Sequence, residues 1–338
     1  MGEHAAPIQF TPSLKTSLHN HTIHSPSRCT AGTTIDRVVE AAFRHRVGIL
    51  ACTDYTGSAA FDELKARRAE LRGSGYSVED FGSRAADDYV LTVTQKGSGR
   101  VLYVLRGIEY HDNNVRREGH VVGIGFHGPI TVEWSYQQGA AYNVVDAAKA
   151  IREQGGIVIA PHPFAEEALL GMVHLGGMGR AKLERLLERG LVDAIETYNS
   201  ECICFLPGLL DASGANRKAQ EFADSYSQER GFGGIAVNDA RHPADIAISY
   251  FRMPAALINS SSGEAFVDGL RKAIALTSDP GLRQRMNCQR RKPWGAFVRH
   301  TIVPEYAPPQ WAPLVSSFLG EGAPEQLMRP AWRRTYSR

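Results

Sequence analysis

Short apolar runs alternate with amphipathic stretches along most of the chain. Ile35, Val38, Val39, Ala42 and Phe43 form one stripe at helical spacing, opened by Thr34 as a capping residue. Val47 to Cys52 is then apolar throughout and stops at Thr53-Asp54-Tyr55. That pattern predicts a strand buried on both faces, hence a parallel one. Asp62 to Arg72 reads as a charged helix, and Gly73 to Asp88 as a polar excursion. Tyr89–Thr94 and Val101–Leu105, joined by a Gly/Ser-containing turn, predict a hairpin running into Gly107-Ile108-Glu109. The apolar runs at 121–126, 157–160, 191–195 and 233–237 follow, with helical segments predicted at 144–154, 181–189 and 216–229. About seven strands separated mostly by helices argue for a parallel β/α architecture, with a barrel as the natural closure.

Polar residues gather where these runs end: His19 and His21, Asp54, Glu109, His120, His162, Glu196 and Asp239. In β/α folds the carboxyl ends of strands are where chemistry collects. His19 and His21 are one residue apart, so in extended backbone their side chains share a face and can meet one ion. Any one of these residues, taken singly, is better explained as a hydrogen-bonded core group. Their recurrence at the ends of apolar runs points instead to a metal centre, imidazole and carboxylate together suiting zinc, iron or manganese.

Composition changes this picture little. The 338 residues are 43% hydrophobic and 22% charged, with a net charge of +2, which singles out no polyanionic partner. Five cysteines lack framework spacing and read as free thiols of a reducing compartment. Met1–Gln9 shows no signal-peptide pattern and no apolar run reaches membrane length, so a soluble cytoplasmic protein is expected. The expected organisation is a barrel over 1–280, with an excursion at about 57–100. A basic, proline-containing extension over 281–338 follows. The extension reads as an arm for phosphate or nucleic acid, or as a tail packed on the barrel with solvated charges; the tail is favoured.

The motifs taken in order resemble the polymerase and histidinol phosphatase (PHP) superfamily of metal-dependent phosphoesterases. They are Leu18-His19-Asn20-His21-Thr22, Thr53-Asp54-Tyr55, Gly107-Ile108-Glu109, Gly119-His120-Val121, Gly155 to Pro163 around His162, Ile195-Glu196-Thr197-Tyr198-Asn199 and Asn238-Asp239-Ala240. The resemblance spans about residues 14–250 and implies a distorted seven-stranded β/α barrel, TIM-like, with a trinuclear metal centre. It implies a first ion on His19, His21, Glu109 and Asp239, and a second on Glu109, His120 and His162. Where the family has third-site ligands this chain has Pro26, Tyr55 and Arg241. Two divalent transition-metal ions (zinc, manganese or iron) are therefore expected and a third is not, unless His24 or His242 is recruited.

The resemblance implies a phosphoesterase using a metal-bridging hydroxide on a small, phosphorylated substrate. Nucleic acid is possible and not favoured, and no membrane partner is indicated. Arg241, Tyr55 and Asp54 are the candidate catalytic residues: Arg241 meets phosphate oxygens in place of a third cation with Tyr55 beside it, or else pairs with a carboxylate such as Asp54 or Asp245. The alternatives are a PHP-type hydrolase or lyase for a non-phosphate substrate, an amidohydrolase, or a non-catalytic module. The early place of Glu109 argues against the amidohydrolase, and two complete ligand sets argue against the module.

Overall fold

The computed structural model describes residues 11–25, 29, 32–55, 57–81, 88–111, 119–128, 130, 144–165, 177–202 and 213–292. Twelve strands are present among them: β1 (Ser13–Ser17), β2 (Val47–Ala51), β3 (Tyr76–Asp80), β4 (Val90–Gln95), β5 (Arg100–Leu105), β6 (Gly107–His111), β7 (His120–Ile124), β8 (Ile157–Ala160), β9 (Ala194–Asn199), β10 (Gly233–Val237), β11 (Tyr250–Pro254) and β12 (Asn287–Cys288). The helices are α1 (Ile35–Arg44), α2 (Ala59–Ala66), α3 (Arg68–Gly73), α4 (Val144–Glu153), α5 (Arg180–Glu188), α6 (Ser213–Arg230), α7 (Gly263–Leu276) and α8 (Pro280–Met286). The apolar stripe of α1 is buried as its spacing demands, and β2 is buried at all five positions. None of the described helices is long and apolar enough to cross a membrane.

The expected closed seven-stranded barrel is not what forms. The strands make two mixed sheets, one of seven in the order β12-β11-β1-β2-β5-β4-β3 and one of five in the order β10-β9-β8-β7-β6. Short connections explain much of the mixing. The turn between β4 and β5 is too short for a crossover, so the pair is antiparallel, and the β6–β7 link is likewise short. β11 returns antiparallel to β1, and β8 antiparallel to β7.

At the two seams between the sheets, isolated contacts replace ladders. Asn20 and Ala240 form a lone parallel bridge, with His21 N donating to Ala240 O at 2.7 Å. On the other side Glu109 N donates to Asp54 O at 3.3 Å. Buried side chains fill the first seam: Ser17 Oγ lies 2.8 Å from Asn238 Oδ1 and 2.9 Å from Asn20 Oδ1, and Asn238 Nδ2 donates to Asn20 Oδ1 at 3.1 Å. Backbone groups and amides that would otherwise ladder are thus satisfied locally, as buried polar groups must be.

One apolar core lies between the sheets and draws on both, with Ile49, Leu105, Ile124, Ile159, Ile235 and Phe251 among its members. Two further cores lie outside: α1 and α2 cover the seven-stranded sheet, and α4, α5 and α6 cover the five-stranded one. The predicted helix at 62–72 divides at Arg67 into α2 and α3, and part of the predicted excursion forms β3 at the sheet edge. The extension beyond Lys292, Pro26 and Cys204 lie outside the described residues. Cys29, Cys52, Cys202 and Cys288 are free thiols, and burial pushes the first three well up from the ordinary range.

Candidate metal centre

His19 and His21 follow the end of β1, and their rings lie 5.1 Å apart, as the i, i+2 alternation predicts. Glu109 stands on β6 and His120 opens β7, so antiparallel pairing brings them together. His162 follows β8 and Asp239 follows β10. Both have positive φ, 27° and 50°, which turns each side chain inward at a cost in backbone strain.

Two groups of donors result: His19, His21 and Asp239, and then Glu109, His120 and His162. Glu109 faces both with different oxygens. Its Oε2 lies 3.1 Å from His19 Nε2 and 3.1 Å from His21 Nε2. Its Oε1 lies 2.6 Å from His120 Nδ1 and 3.3 Å from His162 Nε2. Asp239 Oδ1 lies 3.5 Å from His19 Nε2 and 3.1 Å from His21 Nε2.

These separations fit a shared cation. Donors about 2.0–2.2 Å from a tetrahedral zinc stand roughly 3.3–3.6 Å from one another. His21 Nε2 and Asp239 Oδ1 are buried, close, and yet without hydrogen-bond geometry to any partner. Lone pairs aimed at a common point, and not at each other, produce that arrangement. Nitrogen and carboxylate oxygen together are also the donor chemistry of divalent transition metals.

Electrostatics agree with a cluster of mutually dependent charges. Burial, the largest influence on His19, works to lower its pKa, but Asp239, Glu196 and Glu109 outweigh it and hold the imidazole well above its ordinary value. His21 is raised in the same way against burial, chiefly by the nearby carboxylates of Asp239 and Glu109. Burial alone would raise Glu109 and Asp239; His19 and His120 for the former, and His19 and Arg241 for the latter, hold them well below the carboxylate range.

Around the donors lies a second tier. Asp54 accepts from Thr22 N at 2.6 Å, Thr22 Oγ1 at 2.7 Å and Ser25 Oγ at 2.8 Å, so it braces the turn after His21. Ser25 Oγ also lies 3.1 Å from His21 Nδ1. Glu196 Oε1 lies 2.7 Å from His19 Nδ1. Its Oε2 accepts from His162 N at 2.9 Å and from Asn199 Nδ2 at 2.8 Å. Sequence reasoning sees Glu196 at a strand end but gives it no place in the ligand set. The Glu-x-x-Asn spacing on and after a strand is the only signal that could have marked the pair.

The Tyr55 ring lies 4.9 Å from that of His21 and 5.9 Å from that of His120, between the two groups. Arg241 is buried, with Nε 3.8 Å from Asp239 Oδ1. His24 turns away to Glu63 of α2 at 2.7 Å, and His242 Nδ1 accepts from Ala244 N at 3.1 Å. Neither joins a donor group among the described residues.

No protein-family model and no curated protein matches the chain. Solved structures do. A two-domain protein from Bacteroides vulgatus containing a predicted PHP-like metal-dependent phosphoesterase is 13% identical, with 81% of this chain and 67% of that one covered at a TM-score of 0.45. PsfC from Pseudomonas syringae is 13% identical over 81% of this chain and 99% of its own, at 0.46. The lesion-specific endonuclease EndoQ from Pyrococcus furiosus is 13% identical over 78% of this chain and 56% of its own, at 0.46. Of these three, the Bacteroides vulgatus protein is the one whose description names the PHP-like phosphoesterases.

Proposed function

We propose that the protein is a metal-dependent hydrolase of phosphate esters, working with two divalent transition-metal ions. The observation that carries this is the division of Glu109, whose two oxygens each face a separate group of donors. In this reading His19, His21 and Asp239 hold one ion, His120 and His162 the other, and Glu109 both. Bound there, the ions would supply an activated water and a clamp for substrate oxygen.

The other side chains then have separable tasks. Arg241 stands beside Asp239 and offers a planar donor fork to the oxygens of a phosphoryl group. Tyr55, whose ring lies between those of His21 and His120, is in this reading the hydroxyl donor beside it. The Asp54 carboxylate acts through the turn after His21 that it fixes. A small phosphorylated molecule is the substrate class this set suits.

Elemental analysis of the metal-replete chain, paired with a screen of phosphomonoesters and phosphodiesters, tests the reading. Two ions per chain and turnover of an ester are expected. Glu109→Gln should abolish both together, because it removes the charge both ions share. A chain that binds no metal, or hydrolysis that survives in Glu109→Gln, overturns the proposal.

A further inference from the structure

We propose that the two halves of the centre are unequal in metal affinity. The His19–His21–Asp239 side fills first and holds its ion more tightly, and Glu196 is the positioning residue chiefly responsible. This rests on the reading that both donor groups bind ions, and deepens it.

Three observations separate the halves. The first is what stands behind each imidazole. His19 presents Nε2 to the centre and turns Nδ1 onto Glu196 Oε1 at 2.7 Å, both side chains being buried. His21 presents Nε2 and turns Nδ1 onto Ser25 Oγ, which itself donates to Asp54. Each ring is therefore backed by a carboxylate, one directly and one through a hydroxyl. Such backing fixes the tautomer, orients the ring and makes the metal-facing nitrogen a stronger donor. On the other side His162 Nδ1 is buried and has no hydrogen-bond partner among the described residues.

Charge is the second difference. Asp239 belongs to the first group alone, whereas the second has only the shared Glu109 as an anionic donor. A divalent ion on the first side thus meets two carboxylates, and on the second side one. The third is exposure. His120 is 13% exposed, while the donors of the first group are 3% or less. The second group is thus the less enclosed of the two, at His120.

Glu196 does more than back one ring. Its second oxygen holds the backbone of His162 and the amide of Asn199, and that amide also reaches Asp239 Oδ2 at 3.2 Å. One fully buried carboxylate thereby sets the aim of His19 and, through Asn199, of Asp239. Its hold on the other side is on the main chain of His162 and not on the ring. Loss of its charge should fall on the first ion.

The test is titration of the metal-stripped full-length chain with Zn²⁺ against a chromophoric chelator, repeated with Co²⁺ to follow the ligand-field spectrum. The wild-type chain should take up two ions in two steps at least tenfold apart. Glu196→Gln should weaken the first step by about 10- to 100-fold and leave the second within about threefold, bringing the two together. The Co²⁺ spectrum of the first equivalent should change in the same variant, and Glu196→Asp should recover part of the affinity. His162→Ala should remove the second step and keep the first. The wild-type and His162→Ala titrations decide the inequality even if Glu196→Gln does not fold. Two wild-type steps of equal affinity overturn the proposal. So does an equal loss at both steps in Glu196→Gln, which makes Glu196 a general packing residue, and so does no loss at either. A wild-type chain that takes up no ion overturns the two-ion reading itself.

Discussion

Arg241 shows how much one side chain's neighbours decide. Its Nε is 3.8 Å from Asp239 Oδ1, and its charge helps hold that carboxylate ionised. If the guanidinium also meets the substrate, Arg241→Ala should keep both ions and lower kcat/KM by on the order of 10²-fold or more, since transition-state charge stabilisation is commonly worth about 3 kcal/mol. Arg241→Lys should restore only part, because a point charge lacks the fork. Steady-state kinetics and metal content of each variant check this; unchanged kinetics would leave Arg241 as the ion-pair partner of Asp239. The residues facing the centre were legible in the sequence because each ends an apolar run, and His19 and His21 alternate. The tier behind them was not. Asp54, Glu109 and Glu196 all close apolar runs of the sequence, and nothing in one dimension says that only Glu109 turns both oxygens inward. Hydrogen-bond partners 177 positions away, as for Glu196 and His19, exist only once the sheets have formed.

Individual elements were easier to read where a single periodicity governed them. The α1 stripe, the buried β2 and the β4–β5 hairpin follow from spacing and turn residues alone. The separation into two sheets does not, because it depends on which strand edges find partners. The elements after β10 escaped pattern reading altogether. Beyond β12 the chain carries Lys292 into the interior, where it pairs with Glu201 and with Asp245 Oδ2 at 2.8 Å. Burial, the largest influence, would lower its pKa, but the two carboxylates outweigh it and raise the ammonium above its ordinary 10.5. Lys292→Met would take the buried cation from beside Glu201 and Asp245, and should destabilise the fold by about 3–5 kcal/mol in denaturant unfolding. The sign of its pH dependence is fixed by the raised value. The lysine's contribution is fully present below 10.5 and is lost as pH rises through the higher folded value. The wild-type and variant curves should therefore run parallel near neutrality and converge only in strong alkali.

For the molecule as a whole, the centre lies across the two sheets. His19 and His21 extend from the seven-stranded sheet, whereas Glu109, His120, His162 and Asp239 belong to or follow strands of the five-stranded one. Ions held between them would clamp two sheets that meet at one seam through the lone Asn20–Ala240 bridge. Metal should consequently stabilise the entire unit and not a loop: a ligand at about 1,000 times its Kd adds about 4 kcal/mol. Calorimetry with and without chelator should show a single transition moving as one. Two transitions, of which only one responds, would mean the sheets unfold independently.

The pairing of β1 with β11 has a consequence for how the molecule comes into being. Strand Ser13–Ser17 waits for Tyr250–Pro254, and the histidines just after it wait for Asp239. At about 5–20 residues per second, a ribosome needs roughly ten to forty-five seconds to travel from His21 to Asp239. Through that interval the nascent chain offers an arriving cation a pair of imidazoles and no completing carboxylate from β10. The His19–His21–Asp239 group is thus completed only after β10 has been made, whereas Glu109, His120 and His162 are all in place soon after β8.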